Sequence, residues 1–386
     1  MEMAVPVSGG KNPSENPFRA AEEVLRRCIQ TKVFPGAAAC AGTSALMAWE
    51  TGLGRLDYGA GGPVGPETLY DLASLTKVVS TTSLILRLVD AERLALATPV
   101  KDILPEFTGG QKEAVTIEHL LTHSSGLPSW RPLFKEAGSR EEAMALVLAT
   151  PLESPPGAAE RYSDLGAILL GECAARAAGM PLAVLAWKLV FDPLGMRDTC
   201  FRPSATDLWR TAPTEVDRSW RGRLIHGEVH DENASALGGV AGHAGLFSTA
   251  EDLGRFSREL LRAIRGEGGP GSAIFRSESA RRFTTRRNLV PGSSRALGWD
   301  TRSDGVDGTG PPGDQSSSGR KFGRKSFGHT GFTGTSIWID PENDRFAVLL
   351  TNNIHPARGT GGMLDARRDV HDAVADALDG LRDGAR

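Results

Sequence analysis

Apolar residues recur at helical spacing over much of the chain, and short apolar runs broken by glycines lie near both of its ends. An amphipathic pattern that opens at Asn16-Pro17 predicts a first helix to about residue 30. Short apolar runs over residues 36–58 predict a hairpin or meander of strands. The segment 74–93 is largely apolar and contains neither Pro nor Gly, so we predict a buried helix there.

The middle of the chain shows helical spacing, and strand patterns return towards its end. Residues 98–260 are mostly helical by this criterion, most clearly at 117–122, 141–148, 163–178 and 249–264. Strands are predicted at 296–299, 335–339 and 346–351, with a turn at 340–344 between the last two. A predicted helix over residues 363–381 follows them.

This order of elements lacks the strand–helix alternation of a doubly wound fold. We therefore predict the α/β (α+β) class, with an antiparallel sheet built from both chain ends and flanked by helices, and with a mostly helical inserted domain. The sheet domain is expected over residues 1–97 and 285–386, and the helical domain over 98–284. A Gly-, Ser- and Asp-rich stretch, 303–325, is predicted to be a flexible loop.

Composition narrows the class of partner. The 386 residues are 40% hydrophobic and 24% charged with a net charge of −3, which gives no basic excess for nucleic acid or an anionic membrane. No hydrophobic signal-peptide core and no long apolar run is present, so we expect a cytoplasmic protein that acts on a small molecule. A trimmed exported form would look the same. The 4 cysteines show no C-x-x-C spacing and are expected to be buried free thiols.

The most informative motif is Ser74-Leu75-Thr76-Lys77, at the start of the predicted helix 74–93. A Ser and a Lys three residues apart share one helix face, near the positive end of the helix dipole. A free Ser hydroxyl is a poor nucleophile, and an adjacent base activates it. Alone, the tetrapeptide also fits a capping Ser followed by a solvated Lys. Ser-x-x-Lys is, however, the nucleophile motif of penicillin-recognising serine hydrolases.

Three further motifs follow in chain order. They are Arg161-Tyr162-Ser163-Asp164, the glycine-rich run 238–249 and Gly328-His329-Thr330-Gly331-Phe332. With these motifs, residues 17–380 resemble the serine β-lactamase-like family, which includes class C β-lactamases, D,D-peptidases and family VIII carboxylesterases. The resemblance implies a β-lactamase/transpeptidase-like fold.

The resemblance also assigns catalytic roles. Ser74 would be the acylated nucleophile, Lys77 its proton acceptor or an electrostatic aid, and Tyr162 the group that shuttles the proton. The backbone N–H groups of Ser74 and Phe332 would form the oxyanion hole, the second of them after an edge strand. A Tyr with a pKa near its ordinary value of ~10 is a poor base, and we expect the nearby Lys77 to lower that pKa.

Two departures from the family pattern concern the predicted substrate-binding residues Asp164, His329, Thr330 and Gly331. The triplet His329-Thr330-Gly331 stands where β-lactamases and most D,D-peptidases have Lys-Thr-Gly, and a mostly neutral His cannot supply a fixed charge for a substrate carboxylate. Asp164 stands where class C enzymes have Asn, which donates a hydrogen bond that an ionised Asp cannot. Both changes argue against efficient β-lactam hydrolysis.

We therefore predict a serine hydrolase that works through an acyl-enzyme without a cofactor or metal. The preferred activity is that of a carboxylesterase on short-chain acyl esters, with weak or no β-lactamase activity. A D,D-peptidase or amidase acting on cell-wall-derived peptides is the alternative with the same chemistry. A catalytically silent binding protein with the same fold is the alternative of another class. The chain contains no G-x-S-x-G, which excludes the nucleophile elbow of α/β-hydrolases.

The remaining histidines give weaker signals. His119 and His123 are four residues apart but lack a third ligand at metal-binding spacing. The segment 226–232 is rich in possible ligands, yet it is not a zinc motif and fits a loop near the pocket mouth better. His243 could line the pocket or make a structural hydrogen bond.

Overall fold

The computed structural model describes residues 16–267, 274–302, 316–359 and 361–384. Its strands are β1 (Gly36–Gly42), β2 (Met47–Gly54), β3 (Tyr70–Asp71), β4 (Cys200–Phe201), β5 (Val216–Asp217), β6 (Arg223–Leu224), β7 (Leu246–Ser248), β8 (Asp300–Thr301), β9 (Phe327–Thr330), β10 (Ser336–Asp340) and β11 (Arg345–Thr351). The part 303–315 of the predicted flexible loop lies outside the described residues.

Helices surround these strands. They are α1 (Arg19–Gln30), α2 (Ser83–Asp90), α3 (Val100–Ile103), α4 (Ile117–Leu121), α5 (Leu133–Glu136), α6 (Arg140–Ala149), α7 (Asp164–Ala178), α8 (Leu182–Ala186), α9 (Asp192–Leu194), α10 (Glu232–Ala236), α11 (Ala250–Arg265), α12 (Ser277–Thr284) and α13 (Met363–Gly384). Turns of π-helix occupy Lys77–Thr82 and Trp187–Phe191, and 3₁₀-helices occupy Gly110–Ala114 and Ala205–Arg210. Within the described ranges no single helix is long and apolar enough to cross a membrane; the bent pair Asp164–Ala178 with Leu182–Leu194 reaches that length and apolarity only jointly.

An antiparallel sheet built from both ends of the chain forms the centre of the fold, as predicted. Its strand order is β2-β1-β11-β10-β9-β8, and in β1 Ala37 lies opposite Thr351 of β11. Strands β10 and β11 form the predicted hairpin. In its turn, the Asp340 carboxylate accepts hydrogen bonds from the N–H groups of Glu342 and Asn343, each at 3.1 Å.

Alternation along the strands produces two hydrophobic cores, one on each face of the sheet. In β1, Ala37, Ala39 and Ala41 face the core that contains residues of α1 and α13, whereas Ala38 and Cys40 face the larger core shared with the helical region. Both faces of the sheet are therefore covered, which confirms the predicted flanking helices. Helix α11 packs against β1 and β11 although it falls within the segment 98–284. The predicted domain boundaries stay a prediction.

Sequence signals located the ends of the main helices within about three residues. Helices α4, α6, α7 and α11 each begin after a Ser or Thr whose side chain accepts a hydrogen bond from the first turn; these capping residues are Thr116, Ser139, Ser163 and Thr249. The predicted strand at 296–299 is wrong. Gly298 has φ +83 and donates its N–H to Leu121 O at 2.8 Å, so the chain bends there and β8 starts only at Asp300.

The predicted buried helix over 74–93 is present but irregular. It starts at Leu75, passes through the π-helical turn Lys77–Thr82 and continues as α2, which ends at Asp90. All six residues of the π-helical turn are buried. π-Helical turns are rare in proteins, and those that do occur often lie at functional sites. This one carries the lysine of the Ser-x-x-Lys motif.

Candidate active site

Asp71 holds the turn that carries Ser74. Ala73 has φ +47, a left-handed conformation that a residue with a Cβ rarely adopts. The buried Asp71 carboxylate accepts the Ala73 N–H at 2.8 Å and the His230 N–H at 2.7 Å. Ser74 consequently lies directly before the first helical residue, where backbone N–H groups have no intrahelical partner.

Lys77 lies between Ser74 and Asp164. Its Nζ is 3.0 Å from Ser74 Oγ and 2.8 Å from the Asp164 carboxylate. It also donates to the backbone oxygen of His243 at 3.2 Å. Burial alone would lower the pKa of Lys77, but the negative charge of Asp164 raises the pKa above its ordinary value. Lys77 is therefore a cation in the resting site.

Tyr162 covers this ion pair. The centre of its ring is 4.9 Å from Lys77 Nζ, which places the phenol beside the lysine of the Ser-x-x-Lys motif. Burial raises the pKa of Tyr162, and the lowering by Lys77 does not offset it, so the pKa lies above the ordinary value. Lys77 does lower the pKa of Tyr162, as expected, but burial and the charge of Asp164 outweigh that effect. Tyr162 is a neutral phenol at neutral pH.

His329 faces the same space from β9. Its ring centre is 5.9 Å from that of Tyr162, its Nδ1–H donates to Thr330 O at 2.8 Å, and its buried Nε2 has no partner in the described part of the chain. Burial lowers the pKa of His329 to about 4, so the ring is neutral at neutral pH. Strand β9 is not the sheet's edge strand, since β8 pairs with Phe327 and Gly328 but ends before His329.

Gly331 brings the segment after β9 against the Ser74 turn. A Cβ at this position would lie 2.5 Å from Leu72 O and 2.1 Å from Thr335 Oγ1, so only glycine fits. Thr335 Oγ1 also donates to Leu72 O at 3.0 Å, which ties the two segments together. Among the described residues, the N–H groups of Ser74 and Phe332 donate no hydrogen bond. Free donors of this kind suit the predicted oxyanion hole.

Sequence reasoning missed a buried cation beside Tyr162. The Arg295 guanidinium lies 5.3 Å from the Tyr162 ring centre, bonds to Glu160 at 2.8 Å and pairs with Asp300. Burial would lower the pKa of Arg295, but the carboxylate of Asp300, followed by that of Glu160, raises it. No sequence signal relates Glu160 to Arg295, because the two positions are separated by 135 residues and belong to no shared motif.

His243 lies under Lys77 and makes the structural hydrogen bond that was one of its two predicted roles. Its Nε2 is 2.9 Å from the Asp231 carboxylate, and its side chain is almost wholly buried. The segment 226–232 contacts the mouth of the site, because the ring of His230 stacks on that of Phe332 at 5.7 Å. Among the described residues no three His, Cys, Asp or Glu side chains group as metal ligands.

A serine next to a buried lysine and a tyrosine, in a molecule whose central antiparallel sheet is flanked by helices, defines the class of penicillin-recognising serine hydrolases. The sequence model of the β-lactamase family matches residues 21–372, and the chain belongs to this family. A relative from Escherichia coli, provisionally named a D-alanyl-D-alanine carboxypeptidase, is 32% identical over 315 residues, which are 75% of this chain and 70% of the relative.

Solved structures agree on the fold. A penicillin-binding protein homologue from Caulobacter crescentus superposes with a TM-score of 0.71 at 21% identity, over 95% of this chain and 99% of that one. EstCE1, described as a hydrolase with promiscuous acyltransferase activity, gives a TM-score of 0.71 at 21% identity, over 93% of this chain and 98% of that one. The protein is therefore a serine hydrolase with a β-lactamase/penicillin-binding-protein fold.

Proposed function

We propose that the protein hydrolyses uncharged carboxylic esters with short acyl chains through an acyl-enzyme on Ser74. The observation that carries the proposal is the 3.0 Å contact between Lys77 Nζ and Ser74 Oγ, inside a site where Asp164 and Tyr162 hold the lysine. A nucleophile, a proton acceptor and a second acid–base group are what acyl transfer requires.

The resting charges suggest the order of proton transfers. Ser74 Oγ attacks the ester carbonyl while its proton passes into the Lys77–Asp164 ion pair, with the Asp164 carboxylate as final acceptor. The Tyr162 phenol then donates its proton to the departing alkoxide, and the Lys77 cation stabilises the phenolate. Transfer of the proton from Asp164 back to Tyr162 restores the resting state. Water then repeats the sequence on the acyl-enzyme and releases the acid.

The preference for uncharged esters follows from the charge balance. His329 is neutral, Lys77 is paired with Asp164, and Arg295 is held by two carboxylates. A substrate carboxylate would meet no uncompensated cation among these three groups, so an anionic substrate would lose hydration without a matching ion pair. Uncharged esters should therefore be better substrates than β-lactams, which carry a carboxylate.

A second candidate is D-alanyl-D-alanine carboxypeptidase activity, the amidase alternative. It is favoured by the name of the E. coli relative at 32% identity, and it would use the same nucleophile. The two candidates differ in the leaving group, which is an alcohol in one and D-alanine in the other.

Ser74→Ala should lower ester hydrolysis by at least about 10³-fold, because no other group is asked to form the covalent intermediate. The measurement is the hydrolysis of p-nitrophenyl butyrate, together with intact-mass detection of one acyl group on the wild-type protein. Ser80→Ala is the matched control, since Ser80 lies in the π-helical turn and its buried hydroxyl has no partner in the described structure. Hydrolysis by Ser74→Ala close to the wild-type rate would refute the proposal.

A substrate panel separates the candidates. Nitrocefin and peptides ending in D-alanyl-D-alanine should be much poorer substrates than p-nitrophenyl esters, because they carry a carboxylate beside the reacting bond. If the wild type releases D-alanine faster than it hydrolyses the esters, the carboxypeptidase replaces the esterase.

A further inference from the structure

Four aromatic side chains outside the catalytic group form what we term the aromatic rim: Trp130, Phe134, Trp220 and Phe332. Trp130, Trp220 and Phe332 expose 48%, 39% and 58% of their surface, respectively. The ring centres of Trp130 and Phe134 are 6.4 Å apart, and those of Phe134 and Trp220 are 4.9 Å apart. Large aromatic rings exposed together mark a binding surface more often than they mark a folding requirement.

One end of the rim is attached to the catalytic lysine through Asp164. The backbone oxygen of Ser129, the residue before Trp130, accepts the Asp164 N–H at 2.9 Å. The Asp164 carboxylate in turn pairs with Lys77 at 2.8 Å. Trp130 is therefore the neighbour of Ser129, which is hydrogen-bonded to the residue that pairs with Lys77. This end of the rim lies on the α7 side of the site.

The other end of the rim is attached to the predicted oxyanion donor. The Phe332 ring stacks on His230, whose backbone oxygen accepts a hydrogen bond from Arg221 at 2.5 Å. The Arg221 guanidinium lies 5.2 Å from the ring centre of the neighbouring Trp220. The rim thus extends from the Asp164 side of the site to the Phe332 side.

The rim is held in place by hydrogen bonds that do not involve its exposed ring faces. Asn233, which is buried, donates through Nδ2 to Arg131 O at 2.8 Å and accepts the Phe134 N–H at 3.3 Å. A cation covers one face of Phe134, because Lys135 Nζ lies 5.5 Å from its ring centre. A ligand that stacks on these rings meets a surface that is already ordered, which lowers the entropy cost of binding.

We propose that the aromatic rim binds an aromatic group at the end of the short acyl chain, and so makes short-chain arylalkanoic esters better substrates than simple alkanoic esters. This inference rests on the proposed esterase function. Offset stacking on fixed rings favours a planar apolar group over a small alkyl chain, since such ring pairs contribute about 0.5–1.5 kcal/mol beyond the burial of their area.

Two ethyl esters test the rim without an aromatic leaving group: ethyl acetate and ethyl 3-phenylpropanoate, both followed by acid release. Trp130→Ala should lower kcat/KM for the phenyl ester about tenfold, mainly through KM, and leave ethyl acetate unchanged. Trp187→Ala is the matched control, because Trp187 has a similar exposure of 40% and lies in a π-helical turn outside the rim. It should leave both esters unchanged.

Binding of 3-phenylpropanamide, followed by tryptophan fluorescence, separates failure of the rim from failure of the esterase. Hydrolysis of both esters with no selective effect of Trp130→Ala overturns the rim and leaves the esterase standing. If the amide binds the wild type but not Trp130→Ala, and no ester is hydrolysed, the proposed esterase function is overturned and the proposed role of the aromatic rim is supported. If N-acetylglucosamine oligomers bind the wild type but not Trp130→Ala, and the amide binds neither, the proposed specificity for aromatic groups is overturned.

Discussion

Tyr162 is a neutral phenol in the resting site, because burial raises its pKa more than the charge of Lys77 lowers it. In the proposed mechanism it consequently acts first as an acid towards the leaving group, and the ion pair of Lys77 and Asp164 receives the Ser74 proton. The Asp at position 164 therefore has two effects: it keeps Lys77 charged, and it supplies the carboxylate that accepts the proton.

His329→Lys should shift the substrate preference towards anions. It would place a permanent cation beside Tyr162 and Thr330, where the Nε2 of His329 has no partner within the described residues. We expect kcat/KM for nitrocefin to rise about tenfold relative to that for p-nitrophenyl acetate, which is ~1.4 kcal/mol of transition-state preference. The gain should shrink at high salt because it is Coulombic.

The control for this change is His329→Gln, which alters the side chain but adds no charge. Its ratio of nitrocefin to ester hydrolysis should stay at the wild-type value. An equal rise in the Gln and Lys variants would show that space, and not charge, sets the preference at this position.

The motif residues Ser74, Lys77 and Tyr162 could be located from the sequence because each belongs to a short pattern, and the structure brings all three together. Arg295 could not, because its partner Glu160 is 135 residues away along the chain and the pairing depends on how loops meet. The direction of the Tyr162 pKa also escaped sequence reasoning, since burial cannot be deduced from a motif.

At the scale of elements, the Ser74 turn is packed tightly against the segment after β9. Gly331→Ala would put a Cβ 2.5 Å from Leu72 O, a backbone atom that cannot move without shifting the turn. We expect kcat for p-nitrophenyl butyrate to fall by at least about 10²-fold, the usual loss when one oxyanion donor is misplaced.

Gly380→Ala is a suitable comparison for that substitution. Gly380 lies in α13, and a Cβ there would meet nothing within 4 Å. Replacing a helical Gly by Ala stabilises by up to ~1 kcal/mol, so this variant should keep full activity and a Tm at or above that of the wild type. Normal kcat in Gly331→Ala would mean that the turn and the strand segment are not coupled.

Helices and the last hairpin were predicted well because capping residues and turn residues mark their ends locally. The strand expected at 296–299 failed for a different reason: its apolar residues are buried, but Gly298 approaches Thr82 so closely that a Cβ would lie 2.0 Å from Thr82 Oγ1. Such close approaches are decided by tertiary packing, and an apolar run alone does not reveal them.

At the scale of the whole molecule, buried neutral histidines should make the fold acid-sensitive. Burial lowers the pKa of His329 and of His371 to about 4, and that of His123 well below its ordinary value. The unfolded chain binds these protons from about pH 6.5 downwards and the folded chain only near pH 4, so stability is complete above pH 6.5 and falls between these values. Carboxyl groups whose pKa burial raises oppose this loss in part: the pKa of Asp252 rises to about 6, and those of Glu50, Asp71 and Glu259 rise as well.

Urea unfolding at pH 7.5, 5.5 and 4.5 measures this effect. Each histidine with a pKa near 4 contributes a loss of up to roughly 3 kcal/mol over the whole interval. His371→Gln, whose site lies away from Ser74 in α13, should flatten the slope without abolishing hydrolysis. A free energy of unfolding that stays constant from pH 7.5 to 4.5 would contradict the expectation.

The pairing of β1 with β11 also affects how the protein can be made. Ala37 leaves the ribosome long before its partner Thr351 is translated. At synthesis rates of about 5–20 residues per second, the first hairpin waits roughly 15–60 s for the strand that completes its pairing. Its alanine-rich edge stays open to wrong partners during that interval. A polypeptide released before Thr351 lacks the strand that pairs with β1, so its sheet cannot close.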